Sequence, residues 1–420
     1  MQDSKVRARL KAQLTKFSGM FCAGLSRPLA KFVSQMLFGI QSSQDVKLSN
    51  IARSLKEDIP LIRTEKRLSR NLKSSELQKG LSQQLVVIGG GRVQPNTVLS
   101  LDLSDIRKEY AQKMEYLATV RDGSTGELHP GYWLCDVTAA EVNGSEIVPL
   151  YQKLFSAEAP DSTSENAEIL AAIDLIRAHT QGRGIWVLDR GGDRKRLLEP
   201  LLDRTQRFVI RSTGRRTVID RKGLQGSVAE VAGRCRLRHQ ARIIKIQDGK
   251  EKIYELRYAA EPIRLPGRSE PLWLVVIAGF GEEPLMLLTD LPVTAKDSQS
   301  VWWIVQIYLT RWKIEETFRF MKQSYNLADI RVMKYQSLKN LVILVTAAAH
   351  FAATFLGQQM KLRILCEKLL IISQRFFGIP PFRFYALADG IRRILSQATF
   401  SPPETPPASL QLELTLGWEG

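Results

Sequence analysis

The stretch from Tyr308 to Lys322, YLTRWKIEETFRFMK, contains no glycine or proline and is predicted to form one continuous helix. At about 100° per residue, four of its polar side chains share a stripe roughly 60° wide. They are Tyr308, Arg311, Glu315 and Lys322. An apolar face beside the stripe, formed by Ile307, Ile314, Phe318 and Met321, can pack on a core. A carboxylate among cations can hold a metal ion next to a phosphate, although a solvated helix face with internal ion pairs shows the same pattern.

The composition narrows the class of partner and of metal. The 420 residues carry a net charge of +17, which predicts a polyanionic partner, DNA or RNA, with a solvated basic surface as the alternative. Four distant cysteines without a CxxC pair argue against a zinc site and a disulfide framework, and for a reducing cytoplasm. The four histidines show no ligand spacing either, so any metal is expected on carboxylates, as magnesium or manganese.

We expect no secretory signal in this sequence. Its apolar run at residues 341–356 is shorter than the roughly 20 residues that a membrane span needs. We therefore expect a soluble protein without a membrane partner, in which this run is a buried core helix.

Two strands that end in acids define the expected site. One apolar strand precedes Asp102 and Asp105, and a second, Ile185 to Leu188, ends at Asp189. A strand followed by an acid and a turn is where open α/β sheets place their sites. Asp105 and Asp193 compete with Asp102 and Asp189 for the metal role, and each acid could instead cap a turn or pair with an arginine.

The sequence divides into five segments that differ in composition and predicted secondary structure. Residues 1–95 are predicted to be an N-terminal helical DNA-binding region, which could also be a cap that only packs on the next domain. Residues 96–206 and 297–395 are predicted to be two parts of an α/β core, the second with C-terminal helices. Residues 207–296 read as an arginine-studded β-rich insertion, and residues 396–420 as a proline-rich tail. Gly89 to Gly91 are expected to form a hinge before the core.

Several of these motifs resemble one known family. The spacing Tyr308-x2-Arg311-x3-Glu315-x6-Lys322 resembles the YREK signature of the IS4-type DDE transposases of insertion sequences. LDLSDI around Asp102 and VLDRGGDR around Asp189 are similar to the family's two aspartate strands. LLTDLP at residues 287–292 and RLSRNL at residues 67–72 are similar to its flanking segments, and the β-rich insertion has the same position.

The resemblance implies an RNase H-like mixed sheet flanked by helices and a cut-and-paste DNA transposase. Asp102, Asp189 and Glu315 would be the catalytic metal ligands, holding Mg²⁺ (or Mn²⁺), with two ions expected. Water would attack first to release a 3′-hydroxyl, which would then attack the opposite strand or target DNA. The family acts as dimers that bridge two transposon ends, so a homodimer on double-stranded DNA is expected, in a prokaryotic cytoplasm at the nucleoid.

The same resemblance implies that Tyr308, Arg311 and Lys322 contact DNA at the terminal inverted repeats. Two other functions stay open at this stage: a stand-alone RNase H-like DNA nuclease, and a DNA-binding relic without turnover. The basic N-terminal helices and the arginine-rich insertion favour the transposase, because a plain nuclease needs neither. The presence of all three carboxylates and both cations of the signature argues against the relic.

Overall fold

The fold is described from a computed structural model, over residues 3–122, 125–247, 250–357, 360–373 and 383–401. The predicted tail lies almost wholly outside these residues. The N-terminal helices are α1 (Asp3–Phe21), α2 (Arg27–Ser43), α3 (Leu48–Leu55), α4 (Leu61–Asn71) and α5 (Glu76–Gly90). Later helices are α6 (Glu165–Thr180), α7 (Lys195–Asp203), α8 (Val228–Arg234), α9 (Ser298–Thr310), α10 (Lys313–Tyr325), α11 (Tyr335–Ala353), α12 (Met360–Ile372) and α13 (Arg383–Leu395).

The core strands form a mixed sheet in which the long strand β3 pairs with three others. They are β1 (Val98–Arg107), β2 (Ala118–Arg121), β3 (Leu128–Ala140), β4 (Val148–Phe155), β5 (Ile185–Leu188) and β6 (Phe208–Arg211). β3 pairs antiparallel with β1, β2 and β4, whereas β5 is parallel to both β1 and β6. The core order is thus β4-β3-β1-β5-β6, which confirms the predicted RNase H-like α/β fold.

Hydrophobic layers cover both faces of this sheet. β5 lies between β1 and β6, so all four of its side chains are buried, Trp186 and Leu188 on one face and Ile185 and Val187 on the other. α6 and α7 pack on the first face and α9 on the second. The central position that its apolar run predicted for β5 is confirmed.

The insertion extends the same sheet. Its strands are β7 (Thr217–Asp220), β8 (Gln225–Ser227), β9 (His239–Gln247), β10 (Lys250–Arg264), β11 (Leu272–Ala278) and β12 (Leu285–Thr289). β12 pairs antiparallel with β6, and the described strands form one 12-stranded sheet. The β-rich character of the segment is confirmed, and β6 at its start belongs to the core pairing, because it continues the parallel register of β5.

The N-terminal helices and α11 share a second hydrophobic core. α11 contains residues 341–353 of the predicted apolar run, which continues to 356, and the helix is buried along nearly its whole length, against α2, α5 and β4. None of the described helices is both long and apolar enough to cross a membrane. The predicted hinge at Gly89 to Gly91 is wrong: Gly89 and Gly90 are buried in the last turn of α5. A Cβ on Gly89 would lie 2.6 Å from Leu150 Cδ2, so the glycine allows α5 to approach β4 closely.

The second core gives a direct test of packing. Leu344 lies in the middle of α11 with no exposed surface. We expect Leu344→Ala to lower the free energy of unfolding by about 2–5 kcal/mol, because truncation leaves a cavity. The matched control is Leu128→Ala, whose side chain is 68% exposed and whose effect should stay within about 0.5 kcal/mol. Calorimetric melting temperatures measure both, and equal shifts would contradict this packing.

Candidate active site

The sequence predicts Asp102 at the end of its strand, but the residue lies in the middle of β1. β3 continues to pair with β1 as far as Arg107, whereas the parallel pairing with β5 stops at Ser100. Asp189 follows Leu188, the last residue of β5. Asp102 therefore lies beside the carboxyl end of β5, and the two carboxylates meet where an open α/β sheet forms its crevice.

The predicted continuous helix is interrupted at Arg311 and Trp312, where α9 ends and α10 begins. The Arg311 and Ile314 amides bond three residues back, to the carbonyls of Tyr308 and Arg311, each at 3.0 Å. The two helices lie on the same face of the sheet but over different strands: α9 packs mainly against β6, β10 and β11, whereas α10 packs against β1, β3 and the second core. The turn between them aims side chains from both helices at one place.

Five of the six predicted site residues meet at that place. The Tyr308 hydroxyl donates to Asp189 Oδ1 at 3.2 Å. Arg311 Nη1 donates to Asp102 Oδ2 at 3.2 Å, and its Nη2 donates to Glu315 Oε1 at 2.9 Å. Tyr308 and the Arg311 guanidinium are largely buried, while Glu315 is exposed by 56%.

Lys322, the sixth predicted residue, lies two turns further along α10 and is exposed. It neighbours Asp136, a buried residue of β3 that faces Asp102 across the strand pair. Burial raises the pKa of Asp136 well above its ordinary value, while the charge of Lys322 favours the ionised form. The lysine thus lies beside the carboxylate cluster without entering it.

The electrostatics of the cluster follow from its charges. Burial raises the pKa of Asp102 from 3.8 to about 6; Arg311 opposes the shift, and Asp189 and Glu315 add to it. Asp102 is therefore mostly ionised at neutral pH. Burial raises the pKa of Tyr308, and the negative charge of Asp189 raises it further. The Tyr308 hydroxyl therefore keeps its proton and acts as a donor.

The two rival acids have other positions. Asp105 is three residues after Asp102 on an extended strand, so the two side chains point to opposite faces of the sheet. Asp193 accepts from the Ser212 hydroxyl and the Thr213 amide, both at 2.8 Å, and pairs with Arg216. Its side chain is 1% exposed, so Asp193 fixes the insertion to the turn after Asp189.

Sequence reasoning missed Arg211, at the carboxyl end of β6. Its Nη1 lies 3.6 Å from Asp189 Oδ1, and it lines a cavity of about 430 Å³ together with Arg190, Arg311 and Trp312. The register that pairs Leu188 with Ile210 sets Arg211 beside Asp189. That register could be found only by assigning RFVIRS to the core sheet instead of the insertion.

Lys313 is a second missed residue, and it holds the start of α10. Its buried Nζ donates to the carbonyls of Glu141 at 2.8 Å and Gly144 at 2.6 Å, in the loop after β3. Burial lowers the pKa of this ammonium, and the charge of Glu141 opposes the shift. Because Glu315 is only two residues further on, this anchor sets where its carboxylate lies.

The donor set fits a hard divalent cation. Asp102, Asp189 and Glu315 offer carboxylate oxygens, the ligands that Mg²⁺ and Mn²⁺ prefer. Within the described ranges, no three acidic, histidine or cysteine side chains already stand close enough to enclose an ion. The reason is visible: the Arg311 guanidinium lies between Asp102 and Glu315 and bonds both. These oxygens would hold a cation once Arg311 releases them.

Comparison with known proteins identifies the family. The model of the transposase DDE domain matches residues 97–351, which is more than half of the chain and includes Asp102, Asp189 and Glu315. The chain belongs to this family. It is a DNA transposase, a DDE enzyme that acts on DNA and depends on divalent metal.

No curated protein sequence matches the chain. Among solved structures it is similar to a piggyBac transposase synaptic complex with hairpin DNA, with a TM-score of 0.47 and 9% identity, over 93% of this chain and 80% of that one.

The raised pKa of Asp102 predicts a pH-dependent stability. The folded pKa is about 6 against an ordinary 3.8, so the fold favours the protonated acid, and this contribution is lost as pH rises from about 4 through 6. Without metal, Asp102→Asn should therefore stabilise the protein relative to wild type at pH 8 but not at pH 4, by up to about 3 kcal/mol. Melting temperatures in a chelator would measure this, and a constant difference across pH would contradict the shift.

Proposed function

We propose that the chain is an IS4-type transposase that cuts DNA at terminal inverted repeats and joins the released 3′-hydroxyl to target DNA. Asp102, Asp189 and Glu315 hold the catalytic Mg²⁺ (or Mn²⁺), as a two-ion site, and the protein acts as a homodimer that bridges two ends. The observation that carries the proposal is the meeting of five signature residues at the carboxyl end of β5. Contacts that join residues 102, 189, 308, 311 and 315 link three distant parts of the chain.

The residues of the site have different roles around the reacting phosphate. When bound, two divalent ions activate the attacking oxygen and stabilise the leaving one. Tyr308 fixes the orientation of Asp189 by donating to its Oδ1, and Lys313 fixes the start of α10. Arg311 pairs with both Asp102 and Glu315 in the metal-free protein and offsets part of their negative charge. Released from these acids, its guanidinium pairs with a phosphate of the transposon end, for which its two parallel N–H groups are suited.

The N-terminal helices supply further DNA contacts in this proposal. Arg63, Lys66 and Arg70 are exposed on α4 at spacings of three and four residues, which puts them on one face. Arg67, between them, is held by Glu57 at 2.7 Å and belongs to the packing of α4. The predicted DNA-binding role of residues 1–95 therefore falls on this basic face.

Replacing each proposed metal ligand tests the chemistry. Asp102→Asn, Asp189→Asn and Glu315→Gln should each reduce metal-dependent cleavage of an end-containing duplex by at least about 100-fold, because each removes a charged ligand. Binding of the same DNA should persist.

The matched control is Asp105→Asn, the same change on the opposite face of β1, which should still cut. Cleavage mapped at nucleotide resolution with and without Mg²⁺ gives the readout. Normal cutting by Glu315→Gln, or an equal loss in Asp105→Asn, would overturn the assignment.

Lys322 is tested by salt instead. As an exposed cation beside the site, it should make one phosphate contact, so Lys322→Gln should make the plot of log affinity against log salt less steep by about 0.9. Arg177→Gln is the control, because Arg177 is exposed near the end of α6, at the sheet edge where β5 begins. Fluorescence anisotropy with end DNA measures both slopes. An unchanged slope for Lys322→Gln would remove it from the interface.

A further inference from the structure

We propose that the groove between the loop after β1 and the loop after α10 is a second DNA site, which binds the duplex about five base pairs from the cut phosphate. We call it the β1–α10 groove; it has a volume of about 750 Å³ and is lined by residues 107–114, 328–331 and 333. The inference rests on the proposed function and adds a surface that the catalytic residues do not include.

The two walls of the groove are tied to each other. Lys108 Nζ is buried and donates to the carbonyls of Ala328 and Ile330, both at 2.7 Å. The Glu115 amide bonds the Met333 carbonyl at 3.0 Å, and a Glu115 carboxylate oxygen accepts from the Tyr335 amide at 2.9 Å. Backbone groups of both loops are thus fixed across the groove, so its shape exists before a partner binds.

The charge of the groove fits a polyanion. Its four cations are Arg107, Lys108, Lys113 and Arg331. Its two acids are both neutralised: Glu109 pairs with Arg107, and Asp329 pairs with Lys47 at 2.8 Å. Lys113 and Arg331 are exposed at opposite walls.

An exposed aromatic ring completes the surface. Tyr110, at the turn of the first wall, is 93% exposed. Such a ring is unusual on a water-facing loop, and an amphipathic phenol can pack on sugar or base edges while its hydroxyl bonds a phosphate.

The position of the groove relative to the active site sets the DNA path. From Asp102 to Arg107, β1 advances five residues, roughly 16 Å. α10 covers about the same distance, from Glu315 to Tyr325, at about 1.5 Å per residue. Both elements therefore run from the carboxylates to the groove, and Lys322 lies between. A duplex that follows this line advances about 3.4 Å per base pair, which gives about five base pairs.

The first test measures the salt dependence of binding to duplexes of two lengths. The probe is end DNA that extends either two or twelve base pairs beyond the cut on the flanking side, without metal. With the long flank, Lys113→Gln/Arg331→Gln should make the log–log salt slope less steep by about 1.8, at about 0.9 for each contact, and with the short flank it should change little. Arg177→Gln, at the opposite sheet edge, should match wild type on both.

The outcomes separate the two proposals. An equal decrease of the salt slope on both duplexes would mean that the groove binds DNA on the transposon side of the cut. The groove would then still be a DNA site, but for transposon DNA and not for flanking DNA. Wild-type slopes on both duplexes would overturn the groove. Failure of the wild-type protein to bind any terminal repeat would instead overturn the proposed function.

The second test locates the contact directly. A photo-crosslinking p-benzoylphenylalanine at position 110 should label nucleotides about four to seven positions from the cut, since the ring is already exposed there. Crosslinking to a second copy of the chain, without DNA, would show that the groove is a protein interface and would overturn the proposal.

Discussion

The site depends on two hydrogen-bonded ion pairs of Arg311, one with Asp102 and one with Glu315. Three carboxylates brought to the end of one strand repel one another, and burial makes the charge on Asp102 more costly still, as its raised pKa shows. The guanidinium lowers that cost by bonding one oxygen of each acid. The metal-free protein can therefore keep a concentrated negative site folded and ready. A metal ion that binds these carboxylates would have to displace the Arg311 guanidinium.

The rest of the fold serves to bring these groups together. β1 contributes Asp102 from its middle because β3 supports the strand beyond the end of β5, and β5 contributes Asp189 from its end. The turn at Arg311 and Trp312 lets α9 pack mainly against β6, β10 and β11 while α10 packs against β1 and β3. Lys313 and Asp193 then tie α10 and the insertion to neighbouring loops through buried polar contacts. Each anchor limits the positions that the three carboxylates can take.

Much of this arrangement could be predicted from the sequence, because the informative signals are local. The apolar run Ile185 to Leu188 predicted a central strand, and the helical spacing of Ile307, Ile314 and Phe318 predicted a buried face; all are buried. The break at Arg311 could not be predicted, since no glycine or proline marks it and it follows from packing against different strands and hydrophobic clusters that are distant in sequence. The role of Arg211 was missed for a similar reason: its neighbour Asp189 is fixed by strand register, which is a long-range property. Gly89 was misread because a glycine that permits close packing and a glycine that permits bending look alike in sequence.

The central claim is that Asp102, Asp189 and Glu315 form the metal centre once Arg311 has released them. The most direct measurement is an anomalous difference map from crystals of the protein with end DNA and Mn²⁺. We expect a peak within coordination distance of all three carboxylates, with the Arg311 guanidinium moved away from Asp102 and towards a DNA phosphate. A peak elsewhere, or an Arg311 that still bonds Asp102 and Glu315 beside bound metal, would contradict it.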